Sequence, residues 1–163
     1  MPPAADVTIR AATSADVPDA TRIIADALLE FGLIFAPEGR DADVKEFGSR
    51  PDHDDLVAVD GRVAVGVASL GPQGEPGVGW VSKMFVTKDV RGRGVGRLLL
   101  DATHSAAARR GYRRVGLRTR LAFVQAIALY ERNGYLPEGI ARDGAAVSQR
   151  ALDVGDRIYW KTL

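Results

Sequence analysis

Three glycines at alternating positions, Gly92, Gly94 and Gly96, interleaved with Arg91, Arg93, Val95 and Arg97, are the residues whose types and spacing most directly suggest chemistry. Glycine leaves backbone amides uncovered and lets a ligand lie close to the main chain. The apolar positions Val95, Leu98, Leu99, Ala102 and Ala106 recur at helical spacing, so the glycines open a helix. The first N–H groups of a helix have no partner within it and point beyond its end, where the dipole favours negative charge. A diphosphate suits such an end, since its oxygens take charge-assisted hydrogen bonds from amides and guanidinium groups. Any one of these glycines is equally explained by a tight strand-to-helix turn. The whole segment is not, because basic residues at a helix N-terminus oppose the dipole unless an anion sits among them. Two better-known phosphate fingerprints do not fit. The Lys-Ser/Thr pair of the Walker pattern is missing, and Gly92-x-Gly94-x-Gly96 is one residue short of the dinucleotide pattern G-x-G-x-x-G.

Other chemistries are narrowed by what the 163 residues lack. There is no cysteine, which excludes disulfides, thiolate metal sites and cysteine nucleophiles. The two histidines suggest no metal site: His53 lies in an acidic loop and His104 within a helix, and no carboxylates stand at a recognisable ligand spacing. Charge nearly cancels, at 22 Lys and Arg against 21 Asp and Glu, but it is unevenly spread. Residues 37–60 are acidic and residues 88–120 basic, which suggests one positive face for an anionic ligand. Those arginines are divided between a turn and two element ends, without interleaved aromatics or a nucleic-acid-binding signature, so no nucleic-acid partner is expected. The N-terminus lacks the basic and apolar regions of a secretion signal, and no apolar run approaches the ~20 residues of a membrane span. A cytoplasmic protein with no membrane partner is expected, folded as one domain over 1–163.

The elements that must position the glycine-rich turn follow from periodicity. Val7 to Arg10 reads as a strand, and Thr13 with Asp16 signals the start of a helix running from about Ala15 to Glu30. Residues 32–54 are broken by Pro37, Gly39, Gly48 and Pro51 and read as a mobile cover, with a short helix over Asp41 to Phe47. Leu56–Val59 and Arg62–Leu70 form a hairpin about Asp60-Gly61, and Val78–Val86 is the next strand. The helix after the turn ends at Arg109-Arg110-Gly111. A strand over Arg114–Thr119, a helix over Val124–Arg132, a strand from Tyr135-Leu136, a Gly- and Ala-containing loop and a last strand over Asp156–Lys161 complete the order. A hairpin series followed by helical crossovers implies a mixed sheet with helices packed against it, α+β with an α/β-like three-layer arrangement.

The turn also resembles a known family. Arg91-Gly92-Arg93-Gly94-Val95-Gly96 is similar to the Arg/Gln-x-x-Gly-x-Gly/Ala motif of the GCN5-related N-acetyltransferase (GNAT) superfamily, with Leu98-Leu99 following as in most members. Ala126-Ile127-Ala128-Leu129-Tyr130-Glu131-Arg132-Asn133-Gly134-Tyr135 resembles its second block, A-x-x-L-Y-x-x-x-G-[FY], about thirty residues on. The resemblance implies the GNAT acyl-CoA N-acyltransferase fold, a mixed sheet whose central parallel strands splay apart. It implies acetyl-CoA as donor, with Met84, Phe85 and Val86 alongside the pantetheine and residues 91–97 on the pyrophosphate. It implies direct transfer of the acetyl group to an amine, with backbone amides near Val86 polarising the thioester and Tyr130 protonating the departing thiolate.

The acceptor side is less marked. Trp80 stands where many members carry a glutamate base, and Phe123 stands where an asparagine is common. Candidate bases are Glu30, Glu75 and Asp156. Phe31, Phe35, Trp80 and Phe123 are candidates for an apolar acceptor pocket, and Arg118 and Arg120 for an acceptor carboxylate. A small-molecule amine is the expected partner. A peptide or protein acceptor, a non-catalytic acyl-CoA-binding or regulatory module, and a homodimer are the alternatives left open.

Overall fold

The computed structural model describes residues 6–138 and 156–163. Strand β1 (Val7–Ala11) leads through a 3-10 turn (Ser14–Asp16) into helix α1 (Val17–Glu30), and a second 3-10 turn (Ala42–Glu46) precedes β2 (Asp54–Asp60). Then come β3 (Val63–Pro72), β4 (Val78–Val86), α2 (Val95–Arg109), β5 (Arg114–Arg120), α3 (Val124–Arg132), β6 (Leu136–Pro137) and β7 (Asp156–Thr162). The strands form one sheet in the order β1-β2-β3-β4-β5-β7-β6. Every pairing is antiparallel except β4 with β5, whose crossover is α2.

The two faces follow from strand alternation. Val57 and Val67 point toward α1 and pack with Ile23, Ile24 and Leu28, while Ala58 and Ala68 point to the other face and pack with Val95 and Leu99 of α2. Helix α3 joins the α2 face, where Tyr130 packs with Leu100, Leu117 and Tyr135. Fully burying one such aliphatic side chain stabilises by ~1.5–3 kcal/mol, so the sheet's position between its helices is set by these stripes. Thr13 and Asp16 close the reciprocal cap at the start of α1, with Thr13 N–H donating to Asp16 at 2.8 Å, and Arg10 grips the same carboxylate with two bonds of 2.8 Å.

Two expectations change. The β2–β3 hairpin turns at Gly61-Arg62, one residue later than Asp60-Gly61, because Asp60 pairs with Val63 and Gly61 supplies the positive φ of 64°. Residues 32–54 are also more than a cover. Val44 and Phe47 are buried at 3% and 0% exposure among α1 and β3 side chains. Gly48 lies so close to Thr13 that a Cβ there would meet its backbone at 2.4 Å, and its N–H donates to Asp55 at 2.7 Å. The strand expected from Tyr135-Leu136 is the short β6, paired with β7. The Gly- and Ala-containing loop expected between them lies outside the described residues.

One irregularity shapes the centre of the sheet. Ser69 pairs with Ser82 and Val67 with Phe85, so β4 carries one residue more than β3 across that step. Within this bulge Lys83 has a φ of 52°, the only positive φ at a non-glycine among the described residues. Such a conformation costs about 1–2 kcal/mol, and the ion pair from Lys83 to Asp43 of the second 3-10 turn helps to hold it. A bulge bends its strand and increases the local twist. Pairing of β4 with β5 accordingly ends at Val81 and Leu117, although β4 continues to Val86 and β5 to Arg120.

Candidate active site

The parting of β4 from β5 opens a cleft of about 700 Å³. Met84, Phe85 and Val86 form one wall, the N-terminal turn of α2 closes one end, and α3 forms the opposite wall through Ala126, Leu129 and Tyr130. Met84–Val86 have no β5 partner, so their backbone edge, apart from the Val86 carbonyl that accepts from Arg91, is available to an extended ligand, as at any sheet edge. Gly92 and Gly94 have φ of 77° and 84°, which a side chain would disfavour. Gly96 meets Leu129 of α3, where a Cβ would come within 3.2 Å. The first hydrogen bond of α2 runs from Leu98 N–H to the Gly94 carbonyl, so the amides before it project out of the helix into the cleft. The sequence-predicted residues Met84, Phe85, Val86, Arg91, Gly92, Gly94, Val95, Gly96 and Arg97 all line this one space.

The arginines divide the work. Arg91 donates to both oxygens of Glu30 at 2.7 and 2.8 Å and to the Val86 carbonyl at 3.1 Å, so it ties the turn to the end of α1 and to β4. Arg93 turns away from the cleft and pairs with Asp60 at 3.1 Å. Arg97 is 70% exposed at the cleft mouth, with Asp101 at 3.8 Å. The chemistry of the donor set fits a pyrophosphate: amides in the first turn, a backbone that glycine leaves uncovered, and one solvent-facing guanidinium.

Tyr130 comes from α3 with 5% exposure and lines the same cleft beside Met84. Burial pushes its phenol well above the ordinary tyrosine value, so the hydroxyl stays protonated and serves as a hydrogen-bond donor to whatever lies beside it in the cleft. Its ring lies 5.6 Å from that of Tyr135, whose hydroxyl is 2.8 Å from Nε2 of His104. Burial lowers the His104 pKa, which favours the neutral imidazole. This aromatic group holds the Tyr130 ring in place.

The acceptor-side candidates do not converge on one place. Phe31 and Phe123 meet at a tilt over the cleft, their ring centroids 4.7 Å apart, and Phe123 meets Phe85 edge-on at 6.3 Å. Trp80 and Phe35 line a second cleft of about 390 Å³ beneath α1 and residues 40–53, together with Ser82 and Lys83. Phe85 belongs to both clefts and marks their junction. Glu30 is held below the usual carboxylate range by its bonds to Arg91, which sets it against a role as base. Asp156 is buried beside Arg118 at 2.9 Å and Arg120 at 4.0 Å, an ion-pair cluster where β5 meets β7. Glu75 lies 3.6 Å from Arg114 and lines neither cleft. His53 lies at the second cleft instead, without having been marked by spacing. Its ring reaches β3 only through a fold that brings residue 53 against Gly71.

Comparison with known proteins agrees with this architecture. A model of the acetyltransferase (GNAT) family matches residues 21–135. An acetyltransferase of that family from Staphylococcus aureus superposes with a TM-score of 0.77 at 22% identity, covering 96% of this chain and 98% of that one. A ribosomal-protein-alanine N-acetyltransferase from Brucella melitensis does so with a TM-score of 0.72 at 26% identity, covering 96% and 99%. A PaiA N-acetyltransferase from Thermoplasma acidophilum, solved with coenzyme A, has a TM-score of 0.71 at 15% identity, with 96% and 99% covered. An IAA acetyltransferase from Azospirillum brasilense is 33% identical over 91 residues, which is 56% of this chain and 60% of the relative's length.

Proposed function

The chain belongs to the acetyltransferase (GNAT) family, and we propose that it transfers the acetyl group of acetyl-CoA to the amine of a small molecule by direct attack within a ternary complex. The observation that carries this reading is the parting of β4 from β5 beside the glycine-rich start of α2. It creates a long cleft with an anion-binding end, an exposed strand edge in the middle and a proton-holding phenol alongside.

In this reading the amides of Val95, Gly96 and Arg97 and the exposed Arg97 hold the pyrophosphate. The free edge of Met84–Val86 bonds the pantetheine as a neighbouring strand would. An amide of the bulged segment faces the thioester oxygen, where negative charge develops as the amine attacks. The carbon–sulfur bond then breaks, and Tyr130 gives its proton to the sulfur. Acetyl-CoA supplies the activated acyl group, and the chain supplies position, a dry surround and the proton.

The acceptor enters through the second cleft and meets the thioester at Phe85. That space, walled by Trp80 and Phe35 at about 390 Å³, suits a small amine with an apolar body. The named acceptors of the relatives differ from one another, so the acceptor is sought by screening. Purified protein, acetyl-CoA and a panel of primary amines, amino acids and peptides are followed by free-thiol detection. Acceptor-dependent thiol release supports the transferase. Coenzyme A binding with no release across the panel supports a binding module instead.

A further inference from the structure

We propose that His53 is the proton acceptor on the amine side, drawing the acceptor's proton along the floor of the second cleft and releasing it to solvent. The inference rests on the acetyl-transfer reading above. An alkylammonium with a pKa of ~10.4 must lose a proton before it can attack, and no carboxylate along that cleft is free to take it. Asp41 accepts the Ala36 N–H at 2.8 Å, and Asp43 carries both Lys83 and Arg50.

His53 is differently placed. Its Nδ1 lies 2.6 Å from Asp52, which fixes the tautomer with the proton on Nδ1 and makes Nε2, the ring atom nearest Gly71, the proton-accepting nitrogen. Nε2 has no hydrogen-bond partner among the described residues. The ring rests on the backbone of β3 at Gly71, where a Cβ would stand 2.3 Å from Nε2 and 2.4 Å from Cδ2. Only glycine at position 71 leaves this place for an imidazole. Gly71 pairs with Trp80, so ring and indole share one face of the sheet, and Ser82 follows two residues on along that face. At ~3.3 Å per residue the Lys83 bulge lies roughly 10 Å from Trp80, a gap that one water and the Ser82 hydroxyl span.

His53 also lines the separate cavity between β1, β2 and α2, so a proton arriving on Nε2 has an exit away from the reacting atoms. Around the ring stand Asp52, Asp54 and Arg50 of its own segment, the Lys83–Asp43 pair across the second cleft, and Arg109 of α2 across the cavity. The protons balance. The ammonium gives one to His53, which passes it to water. The second leaves the nitrogen after attack and replaces the one that Tyr130 gives to the sulfur. The products are the acetamide, the free thiol and one released proton.

The test uses the full chain with acetyl-CoA and primary amines of graded basicity that release thiol in the screen. For His53→Gln we expect kcat/KM at neutral pH to fall ~100-fold or more, with coenzyme A affinity within about twofold of the parent by calorimetry. The acidic limb of the pH profile disappears, and the deficit shrinks as pH rises toward the amine's own pKa. Added imidazole restores part of the activity of His53→Ala. Gly71→Ala, which keeps the histidine but displaces its ring, shows the same pH-dependent deficit. A deficit constant across pH and amine basicity, or unchanged kcat/KM, overturns the role of His53 while leaving acetyl transfer intact. A screen without thiol release overturns both.

Discussion

The two clefts that meet at Phe85 are built by opposite means. The larger one is made of backbone: a bulge, an unpaired strand edge and a glycine-rich turn, with side chains mainly keeping the main chain in place. The smaller one is made of side chains drawn from α1, the segment 35–53, β3 and β4, with its charges already paired among themselves. In the proposed reading, backbone geometry recognises what every acyl-CoA shares, a pyrophosphate and an extended arm, and side chains recognise what differs between acceptors. A substitution in the first cleft should therefore change donor binding or the chemical step for every acceptor, and one in the second should change the ranking of acceptors.

Tyr130→Phe gives the largest expected effect, a fall in kcat of ~100-fold or more with coenzyme A affinity retained, read by thiol release beside calorimetry. Turnover equal to the parent would remove the phenol from the donor side. Next, Gly94→Val forces a β-branched residue into a φ of 84° and places a side chain where the pyrophosphate must approach. With a charge-assisted bond to the pyrophosphate lost, about 1.5–3 kcal/mol, coenzyme A affinity falls roughly 10- to 150-fold for every acceptor alike. Unchanged affinity would refute the cofactor assignment of the turn. Trp80→Ala should raise KM about tenfold for bulky amines and much less for small ones, without altering coenzyme A binding. A uniform loss across acceptors would show that the second cleft does not choose among them.

The smallest effect belongs to Glu30, which ties the end of α1 to the glycine-rich turn through Arg91. Its folded pKa is lowered, so its contribution to stability is present above the ordinary carboxylate range and is lost as pH falls through the folded value. Because the pair is partly exposed, the loss is below about 1 kcal/mol. Thermal melts from neutral to acid pH should show Glu30→Gln losing slightly less stability than the parent, and a larger loss in the variant would contradict the pairing.

Much of the first cleft was legible in the order of residues because local rules create it. A run rich in valine and aromatic residues after the Gly- and Pro-rich loop specifies β4, alternate glycines require an open turn, and a 3.6-residue stripe from Val95 onward specifies α2. These features bring the turn to the end of the strand whatever the rest of the chain does. The helix that carries Tyr130, stopped by Asn133-Gly134, was legible for the same reason, while a part for Tyr130 in the cleft was expected only from the family resemblance. The expected parting of β4 from β5 was reached only through family resemblance. Its physical cause, the bulge at Lys83, depends on register against β3, where Ser82 pairs with Ser69 and Phe85 with Val67, residues distant in the chain.

Contacts distant in the chain decided the rest. Arg91, Arg93 and Arg97 look alike in sequence, yet Glu30 and Asp60 claim two of them and leave one at the cleft mouth. Residues 32–54 read as a loose cover because no periodicity marks Val44 and Phe47 as core, and their burial comes from α1 and β3 packing over them. His53 looked like one more polar residue in an acidic loop. By itself the sequence determined the strand, the turn and the helix of the donor site, since hydrogen bonds and side-chain period act between near neighbours. Only the tertiary structure decided which charges cancel and which imidazole lies against Gly71, since electrostatics and packing act between residues that the chain keeps far apart.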